Sequence, residues 1–286
     1  MPGRTLCAAV VLLIVLCSPR AVCEPDSLSG SGIIAQAVAS LHMLTQLQKE
    51  VVDIHPYLQH LHPVAVVEGD SLYILDVDSA LHEYTFRKTE PVPFPMGKGI
   101  RASFPLACYD GRPACVVSID VFDAMKGYAT IFHEFVHCTQ YVTCENRLKE
   151  GLQIMRAAMA SRNYSWEINH PFPYEDPGFV ESYAAFLRGL AQHDSASVRH
   201  ARQSLRQHLS EVDHDYLIWV MWKEGFARFI ENEIRSRYGL AANHGGKDAP
   251  YNRVAFYFGG EQFIRFLIRD RHDDATDVEG LFRMMQ

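Results

Sequence analysis

The sequence predicts an α+β fold, with strands gathered early in the chain and helices gathered after them. Short β-branched or aromatic runs separated by turn residues occupy positions 64–120. From position 121 to 286, apolar residues recur mostly at helical spacing. Segregation of strands from helices is typical of α+β proteins, whereas α/β proteins alternate the two. With 286 residues, 48% hydrophobic and 21% charged, the chain can bury a complete core.

One helix and a small, mostly antiparallel sheet are predicted first. Residues 33–52 have the apolar spacing of a helix. Asp110-Gly111 is a turn signal and predicts a hairpin between the last two strands. Pro105 indicates that the first strand of this hairpin lies at an edge or carries a bulge, because proline cannot donate to a strand ladder. The predicted strands are 64–67, 71–77, 84–87, 100–109 and 114–120.

Helices account for most of the remainder. Asp123 is a candidate cap for a helix that runs to about residue 141, and 163–178 and 239–250 are predicted loops. The other predicted helices are 147–161, 179–191, 196–209, 212–238, 253–269 and 277–285.

The N-terminus has the pattern of a secretory signal peptide. Arg4 precedes an apolar run over 6–17, which is too short to span a bilayer comfortably, and small residues lie before Glu24. We therefore predict a signal peptide over 1–23, cut near Cys23, and a single domain over 24–286 that is secreted or periplasmic and has no stable membrane insertion. An uncleaved anchor is the alternative. The net charge of −7 argues against nucleic acid as a partner.

Four cysteines follow the predicted leader: Cys108, Cys115, Cys138 and Cys144. In an exported protein an even number favours disulfides, and four cysteines allow three pairings. Cys108 and Cys115 could staple the hairpin, whereas Cys138 and Cys144 could pair only if a helix ends between them. Four buried thiols are the alternative.

The stretch Ile131-Phe-His-Glu-Phe-Val-His137 predicts half of a metal site. His133 and His137 are four residues apart, so a helix presents both on one face to a single ion. Glu134 lies about 100° around the helix, where it can reach a metal-activated water without ligating the metal. The alternative is a chance match in a chain with 14 histidines.

A catalytic zinc site needs a third protein ligand, and Glu224 is the best candidate. It lies in a helical pattern beside Gly225 and Ala227, two small residues that allow close helix packing. Glu224 could instead be a surface residue that pairs with Arg228. The competing ligands are Glu181, His170 and His214.

The sequence Trp222-Lys-Glu-Gly-Phe-Ala-Arg-Phe229 resembles the second zinc helix of gluzincin metallopeptidases, of the minimal peptidase MA-like type. With the His-Glu-Phe-Val-His segment, this resemblance implies a zincin-like fold, one Zn²⁺ held by His133, His137 and Glu224, and Glu134 as general base for hydrolysis of peptide or protein substrates. Gln140 and Thr143 exclude the metzincin pattern. Arg228 stands where thermolysin-like enzymes have an Asp, so another group must support the third ligand.

Further site residues are expected from the same resemblance. Tyr257-Phe-Gly-Gly260 is similar to a Tyr-x-x-Gly segment of such enzymes, which makes Tyr257, and by position Tyr251, candidate oxyanion donors. The alternative for each is a tyrosine that only packs in the core. Strand 114–120 is a candidate edge for an extended peptide, with an interior position as the alternative. The aromatic loop 163–174 could form a cleft wall or pack onto the domain.

Two other functions fit the sequence. One is a zinc-containing envelope or secreted binding protein with a degenerate peptidase fold, which would hold the metal without turnover. The other is a module without metal.

Overall fold

The computed structural model describes residues 30–272 and 274–286, so the predicted leader lies outside the described residues. The chain divides into two compact units, one ending at Thr139 and the other running from Gln140 to Gln286. The content is α+β, as predicted, with a five-stranded mixed sheet in the first unit.

The first unit has one long helix ahead of the sheet. Helix α1 spans Gly30–Val51. The strands are β1 (Val64–Glu68), β2 (Ser71–Asp78), β3 (Glu83–Pro91), β4 (Arg101–Leu106) and β5 (Arg112–Ser118). Helix α2 (Met125–Gln140) follows a 3₁₀ turn over Ile119–Asp123, so Ala124 rather than Asp123 directly precedes it.

The sheet has the order β3-β2-β1-β5-β4. Neighbouring strands are antiparallel except for β1 and β5, which pair in parallel with Val64 opposite Cys115. Strand β4 is therefore an edge, which confirms the position inferred from Pro105. The expectation that strand 114–120 is an edge is wrong, because β5 lies between β1 and β4.

One face of the sheet carries a continuous apolar cluster. Ala65, Ile74, Ala102, Phe104 and Val116 are among its buried members. Side chains of the 92–96 segment pack against the same cluster. This segment, which follows β3, therefore covers apolar surface on this side of the sheet.

The second unit is helical. A π-helical turn over Tyr141–Glu145 continues α2 into α3, and α8 is the longest helix. The helices are α3 (Asn146–Glu150), α4 (Gln153–Ser161), α5 (Trp166–Asn169), α6 (Pro177–Gln192), α7 (Ser195–His208), α8 (Glu211–Arg237), α9 (Arg253–Arg271) and α10 (Val278–Met285).

Two local expectations differ from the structure. The single helix predicted over 147–161 is broken at Gly151 and Leu152, where Leu152 is extended. The predicted loop 163–178 contains the short helix α5, and its side chains Trp166 and Phe172 are buried. Phe172 packs edge-on against Phe179 and Phe256, so this part of the aromatic loop packs within the second unit.

All four cysteines of the described residues carry thiols rather than disulfides. Cys115 lies in β5 opposite Ser103 rather than opposite Cys108, so the expected hairpin staple is not formed. Because the helix continues from Cys138 through the π-helical turn to Cys144, the condition for their pairing is not met. No helix of the described residues is long and apolar enough to cross a membrane.

Candidate metal centre

Helix α2 presents the predicted histidine pair. Its start lies close to the preceding 3₁₀ turn, since a Cβ on Gly127 would come within 1.7 Å of the Val121 carbonyl oxygen. Only glycine fits this approach. The helix then carries His133, Glu134 and His137 within an almost completely buried stretch.

The two histidines have the geometry of neighbouring ligands. Their Nε2 atoms are 3.2 Å apart, and the rings meet at 79° with centroids 4.9 Å apart. Two nitrogens that each lie about 2.05 Å from a tetrahedral zinc ion would be separated by about 3.3 Å. The pair therefore needs little adjustment to share one ion.

Glu224 lies with this pair. His133, His137 and Glu224 each offer one ligand atom, and these atoms all lie within 4.8 Å of one another. The exposed fractions are 5%, 7% and 2% in that order, so all three side chains are buried. This group could hold a metal ion. Two imidazole nitrogens and one carboxylate are a donor set that zinc accepts, and three protein ligands are characteristic of a catalytic zinc site.

The competing ligands lie elsewhere. Glu181 is exposed on α6. His170 Nε2 is 2.7 Å from Asp213 Oδ1. Burial, with Arg206 and Arg202 nearby, lowers the pKa of His214 to about 4, and this side chain lines a small cavity with Phe186 and Met221. None of the three belongs to the metal-binding group found among the described residues.

Glu134 and Cys138 flank the histidines in sequence. Glu134 is 3% exposed and is not a member of the ligand group within the described chain. Burial raises the pKa of Cys115, and the nearby Glu134 raises it further, so this thiol stays neutral. Cys138 is buried on α2 and also lies outside the ligand group of the described residues.

Glu224 accepts a hydrogen bond from an arginine that the sequence did not indicate as part of the site. Arg253, the first residue of α9, donates from Nη2 to Glu224 Oε1 over 3.0 Å. Arg228, the pairing partner considered from the sequence, donates instead to the Gly245 carbonyl over 2.6 Å. A basic residue at the start of a helix opposes the helix dipole. That unfavourable position is the only sequence signal that could have drawn attention to Arg253.

The two candidate oxyanion donors have different surroundings. Tyr257 is buried, and its hydroxyl accepts a hydrogen bond from Arg253 Nη1. The guanidinium carbons of Arg228 and Arg253 lie 4.9 and 5.1 Å from its ring centre. Tyr251 instead packs edge-on against Tyr183 at 5.2 Å. The structure therefore links Tyr257, and not Tyr251, to the arginine that contacts Glu224.

A cluster of four buried charges adjoins Glu224 in sequence. Lys223 Nζ lies 3.1 Å from Glu145 and 2.8 Å from Glu167, and Lys149 Nζ lies 3.1 Å from Glu145. Burial opposes the charge on Glu167, but Lys223 and Lys149 lower its pKa below the usual value. Two cations balance two anions, which is how buried charges are tolerated. The cluster fixes the Lys223 turn of α8 against the π-helical turn, through Glu145, and against α5, through Glu167.

No family model matches the chain, and comparison with curated proteins and with solved structures finds no match. The resemblance to gluzincins therefore rests on the short sequence motifs.

Proposed function

We propose that this protein is a zinc-dependent peptidase. The observation that carries the proposal is the buried group of His133, His137 and Glu224, with Glu134 on the same helix as the histidines. The three ligand residues would hold one zinc ion. When bound, zinc would make a water molecule acidic near neutral pH and polarise the carbonyl under attack.

The chain's own residues would move the protons. Glu134 would accept a proton from the attacking water and pass it to the leaving amine. Tyr257 is the better candidate for stabilising the oxyanion, because its hydroxyl contacts Arg253, which also donates to Glu224. The substrate would be a peptide or protein, and the edge strand β4 replaces strand 114–120 as the place for an extended chain to pair. The N-terminal sequence supports a secreted or periplasmic location.

The decisive experiment replaces Glu134 by Gln. We expect Glu134→Gln to retain one zinc per chain and to lose at least about 100-fold in hydrolysis of a fluorogenic peptide library, because a general base contributes this much or more. Glu150→Gln changes an exposed glutamate on α3 and should retain full activity. Full hydrolysis by Glu134→Gln would refute the mechanism.

The burial of the group favours a second candidate, a secreted or envelope protein that holds zinc without turnover. His133, Glu134 and Glu224 are each no more than 5% exposed, whereas a catalytic metal must be reached by its substrate. This candidate predicts stoichiometric zinc and no hydrolysis by the wild-type protein. X-ray absorption of the zinc-loaded protein would also distinguish them, since a fourth protein ligand replaces water in a closed site.

A further inference from the structure

Arg253 uses every nitrogen of its guanidinium within the second unit. Nε donates to the Glu167 carbonyl over 2.9 Å, Nη2 donates to Glu224 Oε1 over 3.0 Å, and Nη1 donates to the Tyr257 hydroxyl. The planar fork of arginine fixes the angles between these directions. The carboxylate of Glu224 and the hydroxyl of Tyr257 are therefore held by one rigid group.

The start of α9 is itself fixed. The Asn252 side chain accepts a hydrogen bond from the Val254 backbone nitrogen at 2.9 Å and so caps the helix. Farther along, α9 lies close to α8, since a Cβ on Gly225 would come within 2.6 Å of Gly260. Backbone capping and close helix packing together place Arg253 against Glu224.

Two other ion pairs between an arginine and a buried glutamate serve as a comparison for the pair of Arg253 and Glu224. Arg265 lies on the same helix and donates from Nε to Glu261 at 3.0 Å. Arg235 donates to Glu231 at 2.8 Å along α8. Glu261 and Glu231 are as buried as Glu224, but neither belongs to the metal-binding group of the described residues. Of these three arginines, Arg253 is the one that donates to Glu224, a member of the metal-binding group.

We propose that Arg253 is a positioning residue that holds Glu224 by Oε1, so that the carboxylate offers a metal ion its other oxygen. The inference rests on the proposed metal site. By engaging Oε1, Arg253 favours single-oxygen ligation over a chelating carboxylate. The same guanidinium sets the Tyr257 hydroxyl beside this ligand. The sequence required another group to support the third ligand, because Arg228 stands where thermolysin-like enzymes have an Asp. Arg253 takes that supporting role.

The test compares metal binding by Arg253→Lys and Arg253→Gln with that by Arg265→Gln. Lysine keeps the charge but provides neither the fork nor three fixed directions. We expect both Arg253 variants to bind Zn²⁺ about 10–100-fold more weakly than wild type in competition with a chromophoric chelator, the usual effect of removing a ligand's supporting partner. Their Co²⁺ complexes should show altered d–d absorption, because the coordination changes. Arg265→Gln should match wild type in both measurements.

The outcomes separate this inference from the proposed function. If wild type binds neither Zn²⁺ nor Co²⁺, the metal site itself fails. If wild type binds metal but both Arg253 variants retain its affinity and spectrum, only the role of Arg253 fails. Loss of folding in both Arg253 variants, judged by circular dichroism while Arg265→Gln folds, would show a requirement for the fold and would also overturn the inference. Absence of peptidase activity does not affect the metal measurements.

Discussion

At the scale of single residues, burial separates the two glutamates that compete as the third ligand. Glu224 is 2% exposed and receives a hydrogen bond from Arg253, whereas Glu181 is exposed on α6. A buried carboxylate needs cationic partners to remain charged. Arg253 provides one, and a metal ion beside the two histidines would provide another.

Replacing each of these glutamates by Ala should therefore affect zinc content and stability very differently. Glu224→Ala is expected to lose most bound zinc and to destabilise the fold by about 3–5 kcal/mol, because Arg253 loses a buried ionic partner. Glu181→Ala should keep its zinc and change the free energy of unfolding by less than about 0.5 kcal/mol. Elemental analysis and urea denaturation measure both quantities. Equal zinc content in the two variants would remove Glu224 from the ligand set.

The sequence could predict the candidate ligands but not their support. His133 and His137 are related by helical spacing, and Glu224 stands in a short motif, so local pattern could single out these three as candidates. It left Glu181, His170 and His214 as competitors for the third position. Arg253 follows a polar loop and stands at the first position of a helix. Its partners Glu167 and Glu224 belong to other helices. Only the tertiary arrangement of α5, α8 and α9 brings these side chains together.

At the scale of elements, the contact between α8 and α9 depends on two glycines. A Cβ on Gly225 would lie 2.6 Å from Gly260, and one on Gly260 would lie 2.0 Å from the Met221 carbonyl oxygen. In both cases the atom that the added Cβ would meet is a backbone atom, which cannot move aside as a flexible side chain can. The expectation that Gly225 permits close helix packing is confirmed for this pair.

Gly225→Ala should force the two helices apart. Overpacking of this kind costs about 1–3 kcal/mol, and the displacement of α9 would also move Arg253 and weaken metal binding. Gly151→Ala is the control, because its Cβ would be 3.5 Å from the Leu148 carbonyl oxygen and its φ is −72°. That variant should be near neutral. Thermal unfolding and zinc competition would show the difference, and equal stability of the two variants would contradict the close-packing account.

The predicted boundaries of elements were wrong where residues far away in the sequence determine them. The helix predicted over 147–161 breaks before Gln153, whose backbone nitrogen donates to Asp215 Oδ2 at 2.6 Å. This cap comes from α8 and leaves no local sequence signal. The predicted edge position of strand 114–120 was wrong for a similar reason. Strand β5 lies in the interior of the sheet because it also pairs, in parallel, with β1. Periodicity specifies that a segment is a strand, but not which strand lies beside it.

At the scale of the whole molecule, each compact unit contains a histidine that folding keeps neutral. In the first unit, burial and the nearby His60 and Arg112 lower the pKa of His62 to about 4, and its Nε2 lies 2.8 Å from Thr139 Oγ1. In the second, burial and the nearby Arg206 and Arg202 lower the pKa of His214 to about 4. The ordinary value is 6.5 for both. Between these values the unfolded chain binds more protons than the folded chain.

Stability should consequently be present above pH 6.5 and should be lost as pH falls toward 4, by at most about 3–4 kcal/mol for His62 and by less for His214, which is less deeply buried and is screened by solvent. Urea denaturation at pH 7.5 and pH 5 measures this loss, with a chelator present so that metal release at acid pH does not contribute. In the double variant His62→Gln with His214→Gln, the difference in unfolding free energy between the two pH values should shrink. His200→Gln, an exposed position on α7, should leave it unchanged. Because each variant is compared with itself at two pH values, any constant cost of substitution cancels. A pH dependence in the double variant equal to that of wild type would show that these histidines do not control the loss of stability in acid.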